Sequence, residues 1–163
     1  MAVVALSDMP AALGPRGALF GLDLGEKTIG VAASDPSRAI ATPITTLART
    51  KFTADAAKLF ALMAEREAGG LVIGLPLNMD GTEGGRCQST RAFASNLLQL
   101  RDLPIAFWDE RLSTAAVNRT LIEEGDLSRA RRARIVDRAA AAWILQGALD
   151  LLRGGEARPT TAF

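Results

Sequence analysis

The sequence contains no histidine and no tyrosine, and its single cysteine is Cys87. Without histidine, a Ser-His-Asp triad, a Cys-His pair, acid-base catalysis by imidazole and a histidine-bound metal are all excluded. The absence of tyrosine excludes a tyrosine nucleophile as well. Any chemistry must therefore rest on carboxylates, lysine, arginine, hydroxyls or a metal ion held by oxygen ligands.

Signals for export or membrane insertion are also lacking. One cysteine excludes an intrachain disulfide framework and is compatible with a reducing cytoplasm. The first 17 residues have no basic segment, and Asp8 and Pro10 interrupt their apolar run, so they do not resemble a signal peptide. The apolar-rich stretch 139–152 is shorter than a membrane span and contains Gln146 and Asp150. We therefore expect a soluble cytoplasmic protein.

The order of predicted elements indicates one α/β domain. A chain of 163 residues that is 48% hydrophobic suits a single core. Three short strands are predicted within 18–25, 28–35 and 39–48, and helices then alternate with apolar strands at 71–76 and 104–110. We expect a flexible N-terminal tail at 1–17, the folded domain at 18–153 and a C-terminal tail at 154–163. Candidate helix N-caps are Thr53, Ser113 and Ser128.

An aspartate interrupts the apolar stretch "ALFGLDLG", which reads as a strand covered on both faces. A carboxylate at Asp23 is costly to desolvate unless its charge is compensated. The structural alternative is a turn-forming residue at the end of the strand, before a hairpin through Gly25, Glu26 and Lys27.

Two further acids occupy notable places. Glu110, in "WDERLS", lies at the carboxyl end of its predicted strand, where open α/β sheets place ligands, although it could simply end the strand. Asp137 falls at helical spacing on the apolar stripe that includes Ala141 and Ile144, which is the face expected to pack on the sheet. Its structural alternative is an ion pair with Arg134 or Arg138 on the same helix.

Three acids from two strands and the last helix suggest one site for a divalent metal bound by oxygen. Magnesium favours carboxylates together with water and substrate phosphates. Two such ions about 4 Å apart can activate water and stabilise the leaving oxygen of a phosphodiester. Neither a protein nucleophile nor an imidazole is needed for that reaction.

The chain resembles the YqgF family, described as Holliday-junction-resolvase-like proteins or nucleases of pre-16S ribosomal RNA. The matching stretches are "GLDLGEKTIGVAASD", "VIGLPLNMDGTEGGR", "DERLSTAAV" and "VDRAAAAWIL", and the resemblance covers residues 18–152. It implies a ribonuclease H-like three-layer fold, in which helices flank a mixed five-stranded sheet of three antiparallel strands followed by parallel strands. It also implies that Asp23, Glu110 and Asp137 are the catalytic acids and the ligands of Mg²⁺ or Mn²⁺. Thr28 departs from the basic residue expected after Lys27.

The implied function is phosphodiester hydrolysis in 5′-end maturation of pre-16S ribosomal RNA, and resolution of branched DNA is the alternative. A non-catalytic RNA-binding or transcription-associated factor is a further alternative. An ATPase of the actin type is disfavoured because it needs a duplicated fold. The protein would act as a monomer or a homodimer, since a resolvase cutting two symmetric strands needs two active sites.

Basic residues near these motifs are candidates for contact with substrate phosphates. The alternative for the cluster in the last helix is a solvated surface. The loop from Pro76 to Arg86, rich in glycine, could present backbone amides to phosphate or simply be mobile. The candidate phosphate-binding side chains are Lys27, Arg86, Arg91 and Arg111 in or beside loops, and Arg129, Arg131, Arg132, Arg134 and Arg138 around Asp137.

Overall fold

The computed structural model describes residues 3–112 and 129–154, with side chains of the last helix described from Asp137 onward. The predicted caps Ser113 and Ser128 and the tail from residue 155 lie outside this part. The strands are β1 (Ala18–Leu24), β2 (Thr28–Ser34), β3 (Ala41–Ala48), β4 (Ala68–Leu75) and β5 (Ile105–Asp109). The helices are α1 (Met9–Leu13), α2 (Phe52–Glu65), α3 (Gly85–Leu100) and α4 (Arg129–Gly154), with 3-10 turns at Leu6–Asp8 and Glu110–Leu112.

The five strands form one mixed sheet in the order β3-β2-β1-β4-β5. β1, β2 and β3 are antiparallel neighbours, whereas β4 pairs parallel with β1 and β5 pairs parallel with β4. The expected α/β fold with three antiparallel strands followed by parallel strands is confirmed. Parallel pairing follows from the helices α2 and α3, which carry the chain back between strands.

The sheet has a different hydrophobic layer on each face. On one face Phe20 and Leu22 of β1 pack with Leu59 of α2 and Phe93 of α3. On the other face α4 packs on residues such as Leu19. Side chains of a strand alternate between faces, so both layers draw on the same apolar strands. The described residues thus form three layers, with α4 and the N-terminal segment against one side of the sheet and α2 and α3 against the other.

Helix α2 begins differently from the prediction. It starts at Phe52, so Thr53 lies inside the helix and is not its N-cap. Lys51 is the N-cap residue and makes no side-chain capping bond. The buried carboxylate of Asp55 instead accepts hydrogen bonds from the Thr50 amide and from the Thr50 hydroxyl, the latter at 2.7 Å. Asp55, one turn inside α2, therefore holds the loop that precedes the helix. The residue preferences of N-cap positions do not predict this role.

The N-terminal segment packs on the sheet over the residues that the structure describes, in contrast to the flexible tail expected at 1–17. Met9 is fully buried, and Leu6 and Leu13 pack against the layer beneath α4. The Val4 amide donates to the Ile105 carbonyl at 2.8 Å. Apolar side chains thus override a composition typical of a tail. The boundaries of the folded domain at 18 and 153 stay a prediction.

Within residues 3–112 and 129–154, no helix is long and apolar enough to cross a membrane.

Candidate functional site

The carboxylate of Asp23 lies on the face of the sheet that α4 covers. Gly21, two residues earlier in β1, lies directly beneath α4, since a Cβ built there would be 2.6 Å from Leu145 Cβ. Alternate residues of a strand share a face, so Asp23 shares this one. Asp23 is only 3% exposed, and it is not without interactions. It belongs to the strand itself, and the predicted hairpin turn follows it, with the Gly25 amide donating to the Thr28 carbonyl at 2.8 Å.

Two glycines flank Asp23 in the neighbouring strands. Gly30 of β2 is its partner in the antiparallel register. On the other side, Leu22 pairs with Ile73 of β4, so one residue further along both strands Asp23 lies beside Gly74. Strands are spaced about 4.8 Å apart, which puts the two glycines about 10 Å from each other with Asp23 between them.

Each of these glycines lies under a different acidic residue. A Cβ built on Gly30 would be 1.9 Å from the carbonyl oxygen of Asp137, an impossible contact with the backbone of α4. A Cβ built on Gly74 would be 2.6 Å from Glu110 Oε1 and 2.6 Å from Ile144 Cδ1. The missing side chains therefore let α4 and Glu110 approach the sheet on either side of Asp23.

The carboxylate of Asp137 is held toward the β1–β2 hairpin. Thr28, the first residue of β2, donates its hydroxyl to Asp137 Oδ2. The same oxygen is 3.8 Å from a Cβ built on Gly25, two residues after Asp23. The predicted inward stripe of α4 is confirmed, because Ala141 and Ile144 are fully buried. A basic residue was expected at position 28. Thr28 stands there instead and donates a hydrogen bond to Asp137.

Glu110 begins the 3-10 turn that follows β5. Its neighbours stabilise this turn, since the Arg111 guanidinium donates to Asp109 at 2.7 Å and the Arg111 amide donates to Asp109 Oδ1 at 2.9 Å. These bonds to Arg111 hold the pKa of Asp109 below its usual value. Glu110 is itself engaged in the structure and is not free. Asp109 is thus engaged with Arg111, whereas the carboxylate of Glu110 lies over Gly74 at the carboxyl end of β5.

The donor set fits a divalent ion, because Asp23, Glu110 and Asp137 offer the carboxylate oxygens that Mg²⁺ and Mn²⁺ prefer. The glycines let the backbone of α4 and the side chain of Glu110 come close to the sheet on either side of the central carboxylate. In the described residues, however, no three acidic or cysteine side chains are grouped closely enough to enclose an ion. Asp137 bonds to Thr28 on one side of Asp23, while Glu110 lies over Gly74 on the other. The three acids are therefore spread across one end of the sheet, at the carboxyl ends of β1 and β5, and do not enclose a closed site.

The predicted phosphate-binding residues have different surroundings. Lys27 is exposed at the tip of the β1–β2 hairpin, and Arg86 is exposed in the first turn of α3. Arg91 is paired with Glu83 at 2.6 Å, and its guanidinium lies 5.0 Å from the centre of the Phe107 ring. Arg111 is paired with Asp109. These two arginines already use part of their guanidinium donors on carboxylates, which leaves fewer of them for a phosphate.

The basic cluster of the last helix falls largely outside the described side chains. The backbone of Arg129, Arg131, Arg132 and Arg134 belongs to α4, which places these residues one to two turns before Asp137. Arg138 is exposed. Contact of these side chains with substrate stays a prediction.

Four residues of the site were not singled out as functional by the sequence. Gly30 and Gly74 contribute because they align with Asp23 in the neighbouring strands. Thr28 contributes because it bonds to Asp137, which is 109 positions later in the chain. Arg49 follows β3 and donates from Nη1 to the Gly25 carbonyl at 2.7 Å. In the sequence, a role for Arg49 was indicated by nothing more than its position directly after predicted strand β3.

Comparison with known proteins identifies what the chain resembles. The family model described as "RuvX: Holliday junction resolvase" matches residues 17–151. A relative from Phenylobacterium zucineum (strain HLK1), named "Putative pre-16S rRNA nuclease", is 68% identical over 154 residues, which cover 94% of this chain and 99% of the relative. A relative of the same name from Rhodospirillum rubrum is 61% identical over 163 residues and is covered completely, as is this chain.

A solved structure also resembles this one. It is titled "T. thermophilus RuvC in complex with Holliday junction substrate" and matches with a TM-score of 0.52 at 10% sequence identity, covering 85% of this chain and 96% of that chain. At this identity the likeness concerns the fold alone. It agrees with the three-layer ribonuclease H-like fold that the sequence motifs implied.

Proposed function

Because the chain belongs to the RuvX (YqgF) family, we propose that it is a metal-dependent nuclease whose function is 5′-end maturation of pre-16S ribosomal RNA. The name of the Phenylobacterium and Rhodospirillum relatives supports this substrate, since they are 68% and 61% identical over nearly the whole chain. The observation that carries the proposal is the position of Asp23, buried between two glycines with Asp137 over one and Glu110 over the other. Three acids close to the same end of a sheet do not help the fold, so their presence there favours a functional site.

The three acids have distinct tasks in this proposal. Asp23, Glu110 and Asp137 would hold Mg²⁺ or Mn²⁺, which when bound supplies water activation and stabilisation of the leaving oxygen. Asp23 is the central ligand because it is fixed in a paired strand. Thr28 orients Asp137 by donating its hydroxyl, as partners of metal ligands commonly do. Glu110 lies on a short turn and is the acid that can move toward an ion with the least rearrangement.

Phosphate contacts would come from the basic side chains around this end of the sheet. Lys27 and Arg86 are exposed beside the β1–β2 hairpin, so they can bind the substrate backbone without breaking an ion pair. Arg91 and Arg111 would contribute after release from Glu83 and Asp109. Arg131, Arg132 and Arg134 precede Asp137 on the helix that supplies it, and they would extend the basic surface.

Resolution of a Holliday junction is the second candidate function. The family description favours it, and the structural neighbour was solved with such a substrate. The names of the close relatives favour RNA instead. A non-catalytic RNA-binding factor has no use for the three acids. We place the nuclease in the cytoplasm, acting as a monomer on RNA, whereas junction resolution would require a homodimer.

The test incubates the purified protein with Mg²⁺ or Mn²⁺ and two labelled substrates, a pre-16S RNA fragment and a four-way DNA junction, and maps the cut ends. We expect cleavage of the RNA near the mature 5′ end and none in EDTA. The matched control is Asp150→Asn, which removes an exposed acid from α4 and should cleave normally. Cleavage of the junction alone would replace the RNA function with the second candidate, and no metal-dependent cleavage of either would reject the nuclease.

A further inference from the structure

An open cleft of about 390 Å³ lies beside the β1–β2 hairpin on the sheet face that α2 and α3 cover. It is thus on the opposite side of the hairpin from the carboxylate of Asp137. We call it the hairpin cleft. Its walls are the hairpin residues 24–26, Arg49 and Thr50 after β3, and Arg86, Ser89 and Thr90 in the first turns of α3.

Two arginines from distant parts of the chain, Arg49 and Arg86, line the hairpin cleft. The Arg49 guanidinium donates to the Gly25 carbonyl at 2.7 Å and lies 5.8 Å from the centre of the Phe93 ring. Arg86 Nη2 lies 3.5 Å from the Leu24 carbonyl oxygen. Each guanidinium has five N–H donors, so most of them are left over after these single contacts to main-chain oxygens.

The remaining groups of the hairpin cleft favour an anion. Glu26 is the one acidic residue among those lining it, and its side chain is exposed. Ser89 adds an exposed hydroxyl donor. Arg86 lies in the first turn of α3, where the positive end of the helix dipole adds to its field. Each guanidinium is planar and can donate two parallel hydrogen bonds to a phosphate group.

We propose that Arg49 and Arg86 bind a backbone phosphate of the nucleic acid in the hairpin cleft. This inference rests on the proposed nuclease function, because it assigns the cleft to the same substrate. The residues that accept from the two arginines, Leu24 and Gly25, directly follow Asp23 in the chain. A strand bound in the cleft is therefore anchored at the hairpin whose other side carries the acids, and this positions a neighbouring phosphodiester at Asp23.

The experiment measures binding, without cleavage, of a single-stranded RNA oligonucleotide at several salt concentrations in EDTA. The variants are Arg86→Gln and Arg49→Gln. The matched control is Arg101→Gln, an exposed arginine at the other end of α3 whose guanidinium lies 5.4 Å from the centre of the Phe60 ring. We expect each cleft variant to bind roughly tenfold more weakly at low salt, the effect of one charge-assisted hydrogen bond. The slope of log affinity against log salt should fall by about 0.7 to 1.

Folding is checked by thermal melts, and Arg86→Gln should melt like the wild type, since the contact of its guanidinium in the described part of the chain is the long one to Leu24. If Arg86→Gln binds RNA with the wild-type affinity and slope, the proposal is overturned whatever Arg49→Gln does. A second arm adds inorganic phosphate. Competition between phosphate and RNA that is lost in Arg86→Gln supports the proposal, whereas phosphate binding that leaves RNA affinity unchanged assigns the cleft to free anions and overturns it.

The nuclease function is judged separately, by cleavage in metal. Asp23→Asn should bind RNA in EDTA at least as well as the wild type, so loss of its cleavage speaks to the acids and not to the hairpin cleft. If the wild type fails to cut any substrate but the cleft variants still lose affinity and slope, phosphate binding stands and the nuclease function fails.

Discussion

The two faces of the sheet are built from the same strands but pack in opposite ways. Toward α2 and α3, β1 presents Phe20 and Leu22, and large buried side chains fill the layer. Toward α4, the same strand presents Gly21 and Asp23, and its neighbours present Gly30 and Gly74. One face keeps its helices at the distance that bulky side chains require, whereas the other lets a helix backbone touch the sheet.

This difference indicates why the acids lie on one face only. Where α4 contacts Gly30, the helix is close enough for Asp137 to bond Thr28 at the end of β2. On the opposite face, large apolar side chains fill the layer beneath α2 and α3, and the hairpin cleft beside that layer is lined by Arg49 and Arg86. Close packing on glycine thus serves the position of an acid more than the stability of the core.

The largest effect should come from forcing α4 away from β2. Gly30→Ala puts a Cβ where the Asp137 carbonyl now lies, so α4 must move away. We expect cleavage to be lost and the free energy of unfolding to fall near the upper end of the range of about 1–3 kcal/mol for overpacking. Denaturant unfolding and a cleavage assay on the folded fraction measure the two effects.

The matched control changes the other face. Leu59→Ala empties a fully packed position on α2, which should cost about 2–5 kcal/mol of unfolding free energy. Cleavage per folded molecule should stay at the wild-type level, because α4 is not moved. If Leu59→Ala abolishes cleavage below its melting temperature while Gly30→Ala does not, the contrast between the faces is wrong.

A smaller effect is expected at Thr28. Thr28→Val keeps the shape of the side chain but removes the hydroxyl that bonds Asp137. If Asp137 is a metal ligand, as proposed, loss of its hydrogen-bond partner should lower metal affinity or activity roughly 10–100-fold. The measurement is cleavage rate against Mg²⁺ concentration. Thr28→Ser keeps the hydroxyl and should stay within a few-fold of the wild type, and equal losses in both variants would refute the orienting role.

Local sequence patterns predicted much of this architecture. The length of the continuous apolar stretches and the turn residues between them identified the strands, with Asp23 inside β1. The helical spacing of alanines predicted the face of α4 that carries Asp137, because the period of a helix depends only on the residues within it. Such features need no knowledge of which elements are neighbours in space.

Features that depend on register and pairing were not predictable in this way. The importance of Gly30 and Gly74 follows from their alignment with Asp23 across three strands. Asp55, and not the predicted cap Thr53, binds the backbone before α2, because its carboxylate accepts a hydrogen bond from the Thr50 amide. The role of Arg49 requires that β3 and the hairpin end together. The alignment of the glycines and the role of Arg49 depend on contacts that form only after the sheet has assembled, whereas the bonds of Asp55 depend on the local path of the chain before α2.

The most direct test of the central claim is the behaviour of Asp23→Asn, which keeps the size of the side chain and removes its charge. If Asp23 is a metal ligand, cleavage in Mg²⁺ or Mn²⁺ should fall at least about a hundredfold, comparable to the loss of one group that stabilises a transition state. The melting temperature in EDTA should stay the same or rise, because repulsion from Glu110 and Asp137 is relieved. Added metal should stabilise the wild type but not the variant. A variant that loses about 1–3 kcal/mol in EDTA, as for a broken charge-assisted hydrogen bond, yet cleaves at the wild-type rate when folded would show that Asp23 serves the fold and that the active site lies elsewhere.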